Sequence, residues 1–280
     1  MKIYAFDNKI LALNNTWLRE NPYVPPFDPN PLGLPALTIR VRVASGASAP
    51  SPVNATVTAV QGQTDVYDIC TANTSRLDSW SSLLYNSNAV EVLGANAAGV
   101  TNMNNMFDNC NLMTSVPFFD TSSVTKMSSM FYRCNALTNV PLFDTTNVTI
   151  MYGMFENCYA LTSVPLFYTA NVTNMQGMFR SCTSLTTVPL FDTSSARNMS
   201  SMFKGCTALT TVPLLNTSAI VNTGDMFYNC TSVESGALAL YQQLSTQANP
   251  PTYHSHTFYQ CGSNTVTGAA ELSQIPSDWK

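Results

Sequence analysis

Charged residues are scarce in this sequence: they make up 10% of its 280 residues, where an average globular domain has about a quarter. The 12 Lys and Arg and 16 Asp and Glu leave a net charge of −4. That balance lacks the clustered basic face of a nucleic-acid-binding protein. No apolar run reaches about 18 residues, so no membrane-spanning helix is predicted. An uncharged surface rich in Ser, Thr and Asn is typical of extracellular or virion proteins.

Residues that carry catalysis or bind metals are equally sparse. The two histidines, His254 and His256, lie one residue apart beside a predicted turn. With no third ligand near them in the sequence, we interpret them as exposed loop residues rather than a metal site. The sequence also lacks a phosphate-binding loop, a GxSxG nucleophile motif and zinc-finger spacing. It therefore predicts no enzyme, no cofactor and no metal.

A repeat of 24 residues organises the chain. Residues 124–147 begin again, nearly unchanged, at Val148 and at Val172. Six cysteines keep this interval: Cys110, Cys134, Cys158, Cys182, Cys206 and Cys230. A Phe precedes each of them by three residues. Repeats of this length form stacked coils that share one core, since a single unit cannot bury its own apolar side.

Within one coil the apolar residues from Val124 to Leu137 are spaced by three or four, which predicts a short helix or 3₁₀ segment with one buried face. The Asn or Ser beside each coil's Val or Met is expected to cap the start of that segment. Residues 137–140 predict a short parallel strand, which Pro141 ends. The fold class predicted is therefore a repeat solenoid, α/β and similar to leucine-rich repeats, with a small N-terminal β-domain.

The cysteine spacing argues against a disulfide framework. Cysteines in register on neighbouring coils lie about as far apart as neighbouring strands, roughly 4.8 Å, whereas a disulfide needs Cβ atoms about 3.8 Å apart. We therefore expect a reduced, buried ladder of thiols that act as small apolar side chains.

Four segments are predicted along the chain: an extended Pro-rich arm (1–34), a small β cap domain (35–79), the solenoid (80–262) and a C-terminal cap (263–280). Strands are expected at 36–43, 55–60 and 65–70. A degenerate first coil, in which Ser87 takes the place of a cysteine, is expected to be irregular. The solenoid should carry a helical insertion at about residues 234–247, where the period breaks.

The repeated pattern VTNMxxMFxxCxxLTxVPLFDTSxV resembles the BspA-type leucine-rich repeats, also called DUF285 repeats, of surface proteins from gut bacteria, mycoplasmas and the phages of gut bacteria. The likeness covers roughly residues 80–261, and six consecutive copies keep the same spacing. The flanking segments SWSSLLYNSNAVEVLGAN and GSNTVTGAAELSQIPSDWK resemble those of gut-phage proteins. This resemblance implies attachment or display rather than catalysis.

The N-terminal arm is interpreted as an anchor to other virion proteins, with packing on its own domain as the alternative. Its apolar residues are Tyr4, Phe6, Ile10, Leu11, Leu13 and Trp17. Asp7, Asn8 and Lys9 interrupt the apolar centre that a signal peptide requires, which favours carriage on a phage particle over secretion, unless a signal peptide was trimmed.

Exposed Tyr and Arg residues that vary between coils are the candidate ligand-binding residues, because such side chains dominate binding hot spots. They are Tyr132, Arg133, Tyr152, Tyr159, Tyr168, Arg180, Arg197 and Tyr228. Drift at unconstrained surface positions is the alternative. The function predicted is a non-enzymatic fibre or decoration protein of a phage particle that binds host-surface glycan or protein. A BspA-like bacterial adhesin and a purely structural virion component are the alternatives, and homo-oligomerisation is left open.

Overall fold

The computed structural model describes residues 30–72 and 78–280 of the chain. The six residues of the expected anchor, Tyr4, Phe6, Ile10, Leu11, Leu13 and Trp17, lie outside the described residues.

A four-stranded antiparallel sheet forms the N-terminal part of the described chain. Its strands are β1 (Thr38–Val43), β2 (Thr56–Ala59), β3 (Val66–Cys70) and β4 (Ala89–Asn96), in the order β2-β3-β1-β4. Alternation in β1 buries Ile39, Val41 and Val43 on one face. The structure has strands where the sequence predicts the first three. The fourth lies where an irregular first coil is expected, because this segment pairs with β1 instead of following the repeat.

Within the described residues 78–280, eight coils follow one another in register, which confirms the prediction of a repeat fold. We call the eight residues that end at each coil's cysteine, such as residues 103–110, the ribbon. N–H groups five, three and one residues before that cysteine donate to carbonyls of the next ribbon: Phe107 N to Met130 O at 2.9 Å, then Phe131 N to Met154 O at 2.9 Å. Isolated parallel bridges, such as Lys126 with Ile150, add to this register.

The ribbon is neither the helix nor the 3₁₀ segment that the spacing predicts. Its residues five and one before the cysteine have positive φ: Ser129 at 53° and Arg133 at 58°, with equivalents in every coil. Left-handed residues four apart reverse the winding before a helix can form. Turns closed by bonds such as Cys134 N to Phe131 O (3.1 Å) nevertheless keep apolar side chains three and four residues apart. A chain of turns therefore imitates the spacing of a helix.

The short strand expected at residues 137–140 is also absent as a continuous strand. In this part of the coils the structure has isolated parallel bridges instead, Glu91 with Ser115 and Thr211 with Ser235. The expected helix caps are corrected as well, since Asn147 Nδ2 donates to Ser122 O of the preceding coil at 2.8 Å. Such asparagines connect coils because no helix begins beside them.

Side chains of the same type stack through the core. Seven fully buried phenylalanines form one column with ring centroids 5.2 to 6.0 Å apart: Phe107, Phe131, Phe155, Phe179, Phe203, Phe227 and Phe258. Beside them the six thiols from Cys110 to Cys230 each donate to a carbonyl of the preceding coil, as Cys158 Sγ does to Phe131 O at 3.0 Å. All eight cysteines are free. Four buried threonines, Thr121, Thr145, Thr169 and Thr193, donate in the opposite direction, to a carbonyl of the following coil, as Thr145 Oγ1 does to Tyr168 O at 2.8 Å.

Two helices lie at the C-terminal end, α1 (Ala237–Thr246) and α2 (Val266–Gln274), followed by a 3₁₀ turn (Ser277–Trp279). Gln243 of α1 donates to Leu215 O and to Thr217 Oγ1, both at 3.0 Å, where another coil would otherwise continue the stack. Trp279 covers the last ring of the Phe column. Among residues 30–72 and 78–280, no helix has the length and apolarity to cross a membrane.

Candidate binding surface

One row of side chains on the outside of the ribbons combines charge and aromatic surface. We call it the outer column, and it consists of the residue two before each cysteine or its equivalent: Tyr85, Asp108, Tyr132, Glu156, Arg180, Lys204, Tyr228 and Tyr259. All of these residues are at least partly exposed. Because the ribbons lie in register, these side chains are neighbours along the stack although they are far apart in sequence.

Glu156 and Arg180 form an ion pair in the middle of the outer column, with Arg180 Nη1 3.4 Å from Glu156 Oε1. Gly153 and Gly177, both at positive φ, make room for the carboxylate, since a Cβ on either would lie within 3.4 Å of Glu156 Oε2. Burial raises the pKa of Glu156, while Arg180 and then Arg133 oppose that rise. The glutamate is therefore held in place among partners that favour its charged form.

The part of the column nearer the N-terminus contains a second cation beside an aromatic ring. The Arg133 guanidinium lies 4.9 Å from the centre of the Tyr132 ring, which is within the range of a cation–π contact. Burial raises the pKa of the neighbouring Asp108, and Arg133 opposes this shift. The Arg133 cation, the Tyr132 ring and the Asp108 carboxylate are therefore neighbours on this surface.

The part nearer the C-terminus is the most aromatic. Lys204 Nζ lies 2.9 Å from Asp225 Oδ2 and 4.3 Å from the centre of the Tyr228 ring. The Tyr228 and Tyr259 rings stack with centroids 4.6 Å apart. The His256 ring meets both tyrosines edge-on, and its Nδ1 is 3.7 Å from Asp225 Oδ1. These contacts fix the orientation of the side chains before any ligand binds.

Comparison with protein families identifies the repeat. The model described as "Mycoplasma protein of unknown function, DUF285" matches residues 79–186, 139–239 and 160–260, which together span residues 79–260. The chain belongs to this family. Its membership confirms the BspA-type resemblance seen in the sequence.

Three solved structures that are similar to this DUF285 chain are leucine-rich repeat proteins. One from Eubacterium ventriosum is 20% identical, with a TM-score of 0.47, and the match covers 70% of this chain and 51% of that one. One from T. pallidum is 16% identical, with a TM-score of 0.46, covering 62% and 78%. One from Bacteroides ovatus is 16% identical, with a TM-score of 0.29, covering 58% and 50%. This chain thus spans about half the length of the first of them. No curated protein matches.

The structure brings five of the candidate residues in this DUF285 chain onto the ribbons. Tyr132, Arg180 and Tyr228 belong to the outer column, Arg133 is next to it, and Tyr152 lies four residues before it. The other three, Tyr159, Tyr168 and Arg197, lie elsewhere on the coil. Tyr159 follows a cysteine directly, the Tyr168 carbonyl accepts the buried Thr145 hydroxyl, and Arg197 precedes its ribbon.

Sequence reasoning missed several residues of this surface, among them Glu156, Asp225 and Tyr259. Tyr259 could have been found, because it precedes Cys261 by two residues as Tyr228 precedes Cys230. The signal for Asp225 and His256 is weaker. They occupy the positive-φ position five before the cysteine, where other coils have Asn, Ser or Gly.

His254 and the coil thiols are packed against other residues of the protein. The His254 ring stacks on Trp279 at 4.2 Å, and in the described part of the chain no group of three or more His, Cys, Asp or Glu is placed to hold a metal ion. Burial raises the pKa of Cys110 to about 11 and that of Cys206 to about 12. Thiolates, the reactive form of cysteine, are therefore rare in the core at neutral pH.

Proposed function

We propose that this chain is a non-enzymatic attachment protein whose outer column binds glycan or protein on a host surface. The observation that carries the proposal is the group formed by Lys204, Asp225 and Tyr228, in which an ammonium is held between a carboxylate and a ring face. Side chains that are oriented in advance lose less conformational entropy when a ligand binds. Tyr and charged groups at one exposed place suit the apolar faces and hydroxyl groups of sugars.

The arrangement favours an elongated ligand. Tyr132, with Arg133 beside it, and the Lys204–Tyr228 pair lie along the outer column, with the Glu156–Arg180 ion pair between them. A polysaccharide chain or an extended peptide can contact both pairs at once, whereas a single sugar can contact only one. Two weak contacts on one ligand increase its overall affinity.

Binding is tested with the full chain, immobilised and exposed to a panel of neutral and acidic oligosaccharides and to fixed bacterial cells. The double variant Lys204→Ala with Tyr228→Ala should weaken binding by about tenfold or more, the effect of removing about 1.4 kcal/mol or more of contact energy. Tyr159→Ala, which removes an exposed tyrosine away from the outer column, should bind as the parent does. Equal binding by the double variant and the parent would refute a role for the outer column.

The carrier of this attachment protein is a separate question. A bacterial cell surface is the carrier in a BspA-like adhesin, while the phage-like flanking segments and the low charge favour a virion. Immunogold electron microscopy of cells and of purified phage particles distinguishes them, since label on particles supports the virion proposal and label on cells alone supports the adhesin. A structural component without a ligand would label particles but bind no member of the panel.

A further inference from the structure

The backbone-to-backbone hydrogen bonds between ribbons all run in one direction. From the first coil to the seventh, the N–H groups of a ribbon donate to carbonyls of the next one, as Asn109 N does to Tyr132 O at 2.8 Å and Asn229 N to Tyr259 O at 2.8 Å. In an antiparallel sheet a strand both donates to and accepts from each neighbour. A stack of ribbons instead has one end with free acceptors and one end with free donors.

The acceptor end lies at the first coil. The carbonyls of Leu83 and Tyr85 occupy the positions at which Met106 and Asp108 accept bonds from the coil before them. Among the described residues no donor reaches these two carbonyls. They border a pocket of about 340 Å³ between residues 82–88 and the loop 48–53. The Tyr85 ring stands beside this pocket, and 58% of the residue is exposed.

The donor end lies at the eighth coil. The N–H groups of His256 and Gln260 occupy the donor positions of Asp225 and Asn229, yet in residues 30–72 and 78–280 they meet no acceptor. The N–H group between them, that of Phe258, donates to Trp279 O of the same chain at 2.9 Å. This end also carries the last ring of the outer column, Tyr259.

We propose that copies of this chain associate head to tail, the donor end of one against the acceptor end of the next. Gln260 N donates to Tyr85 O of the second copy, and the Tyr259 ring packs on that copy's Tyr85 in the pocket. The same contact exists inside the chain between the seventh and eighth coils, where Asn229 N donates to Tyr259 O and the Tyr228 ring stacks on Tyr259. The contact therefore repeats a geometry that the fold already forms.

The chemistry at the two ends fits this partner. Tyr85 and Asn86 at one end, and Tyr259 and Gln260 at the other, are uncharged, so no like charges oppose the approach. Unpaired backbone edges are templates for pairing with another chain, and both ends offer such an edge. A head-to-tail contact leaves one free end on each partner and so continues into a ring or a filament. The outer columns of the copies would then join into a longer multivalent surface.

Sedimentation velocity of the full chain over a wide concentration range tests the proposal. The parent should form species larger than a dimer as concentration rises. Tyr85→Lys and Tyr259→Lys should each be monomeric, because each loses one end. Mixed together, the two variants should form a dimer that does not grow, since each still has the end that the other needs. Tyr159→Lys, an exposed substitution in the middle of the stack, should assemble like the parent.

Three results would overturn the proposal. They are a parent that stays monomeric at every concentration, a parent dimer that neither variant affects, and two variants that remain monomeric when mixed. Circular dichroism and thermal unfolding of each variant should show that it is folded like the parent, because Tyr85 is exposed and Tyr259 is only partly buried.

Discussion

The sheet and the coils both cover an apolar core, but they do so with different backbone conformations. Both lay segments of chain side by side over an apolar core, but β1 exchanges hydrogen bonds with β3 and β4 in the usual antiparallel way. The backbone-to-backbone hydrogen bonds between ribbons, in contrast, all run in one direction. A strand needs no unusual φ angle. Each ribbon needs two residues in the left-handed region, which Asn, Ser and Gly most often supply. The coils therefore depend on particular residue types at positions where the sheet does not.

Alkaline pH should destabilise the coils more than the sheet, and this is the largest difference expected between the two regions. Seven buried thiols lie in the coils, while the sheet's Cys70 is partly exposed. Burial raises the folded-state pKa of Cys206 from 9.0 to about 12. Stability should be complete below pH 9 and fall as the pH rises from 9 toward 12, by about 1.4 kcal/mol per such thiol for each pH unit. Urea unfolding at pH 9 and pH 10 measures this loss.

The matched control for the alkaline effect is Cys206→Ala, which should lower stability at pH 7 but reduce the fall between pH 9 and pH 10. If stability fell between pH 9 and pH 10 as steeply in this variant as in the parent, the Cys206 thiol would not be responsible for the loss, contrary to the expectation.

Removal of one ring from the Phe column should have the next largest effect. Phe155 is fully buried and stacks on Phe131 at 5.5 Å and on Phe179 at 5.7 Å. Phe155→Ala should lower the free energy of unfolding by about 3–5 kcal/mol, because it leaves a cavity between two coils. Urea denaturation followed by circular dichroism measures the change. Tyr152→Ala, at a residue of the same coil that is 41% exposed, should change stability by less than about 0.5 kcal/mol.

The contrast between the regions also explains what the sequence could and could not predict. In β1, alternation of apolar and polar residues allows only one interpretation, so the strand was predicted from the positions of Ile39, Val41 and Val43. In the ribbons, apolar residues three and four apart fit both a helix and a chain of turns. The sign of φ at Ser129 and Arg133 decides between the two. The residue types Ser and Arg do not reveal that sign in the sequence.

The same limit applies to the candidate surface. The 24-residue period placed Tyr132, Arg180 and Tyr228 in equivalent positions, which is why they were recognised as variable exposed residues. Tyr259 was missed because the insertion containing α1 separates Cys230 from Cys261 by 31 residues rather than 24. Ion pairs across coils, such as Lys204 with Asp225, depend on distances between side chains that a period does not contain.

The requirement for left-handed residues can be tested at Gly205, which has φ of 75°. A Cβ there would meet neighbours only at 3.5 Å or more, which is ordinary contact, so backbone conformation alone sets the effect. Gly205→Val should lower the free energy of unfolding by about 1–3 kcal/mol. Gly205→Asn should cost clearly less, because Asn tolerates this conformation and occupies the same position at Asn157. Equal costs for the two variants, in thermal and urea unfolding, would contradict the argument.

The smallest expected difference concerns one ion pair in each region. In the sheet, Arg40 Nε and Nη2 contact the two oxygens of Asp68 at 2.6 and 2.7 Å, and this partly buried pairing raises the pKa of Arg40. In the coils, Arg180 is about half exposed and lies 3.4 Å from Glu156. Double-mutant cycles with Ala should give a coupling of about 1 kcal/mol for the sheet pair and about 0.2–0.5 kcal/mol for the coil pair, since exposure weakens the second. If the coil pair coupled as strongly as the sheet pair, the glycines beneath Glu156 would be responsible, and Gly177→Ala should then reduce the coupling by displacing the carboxylate.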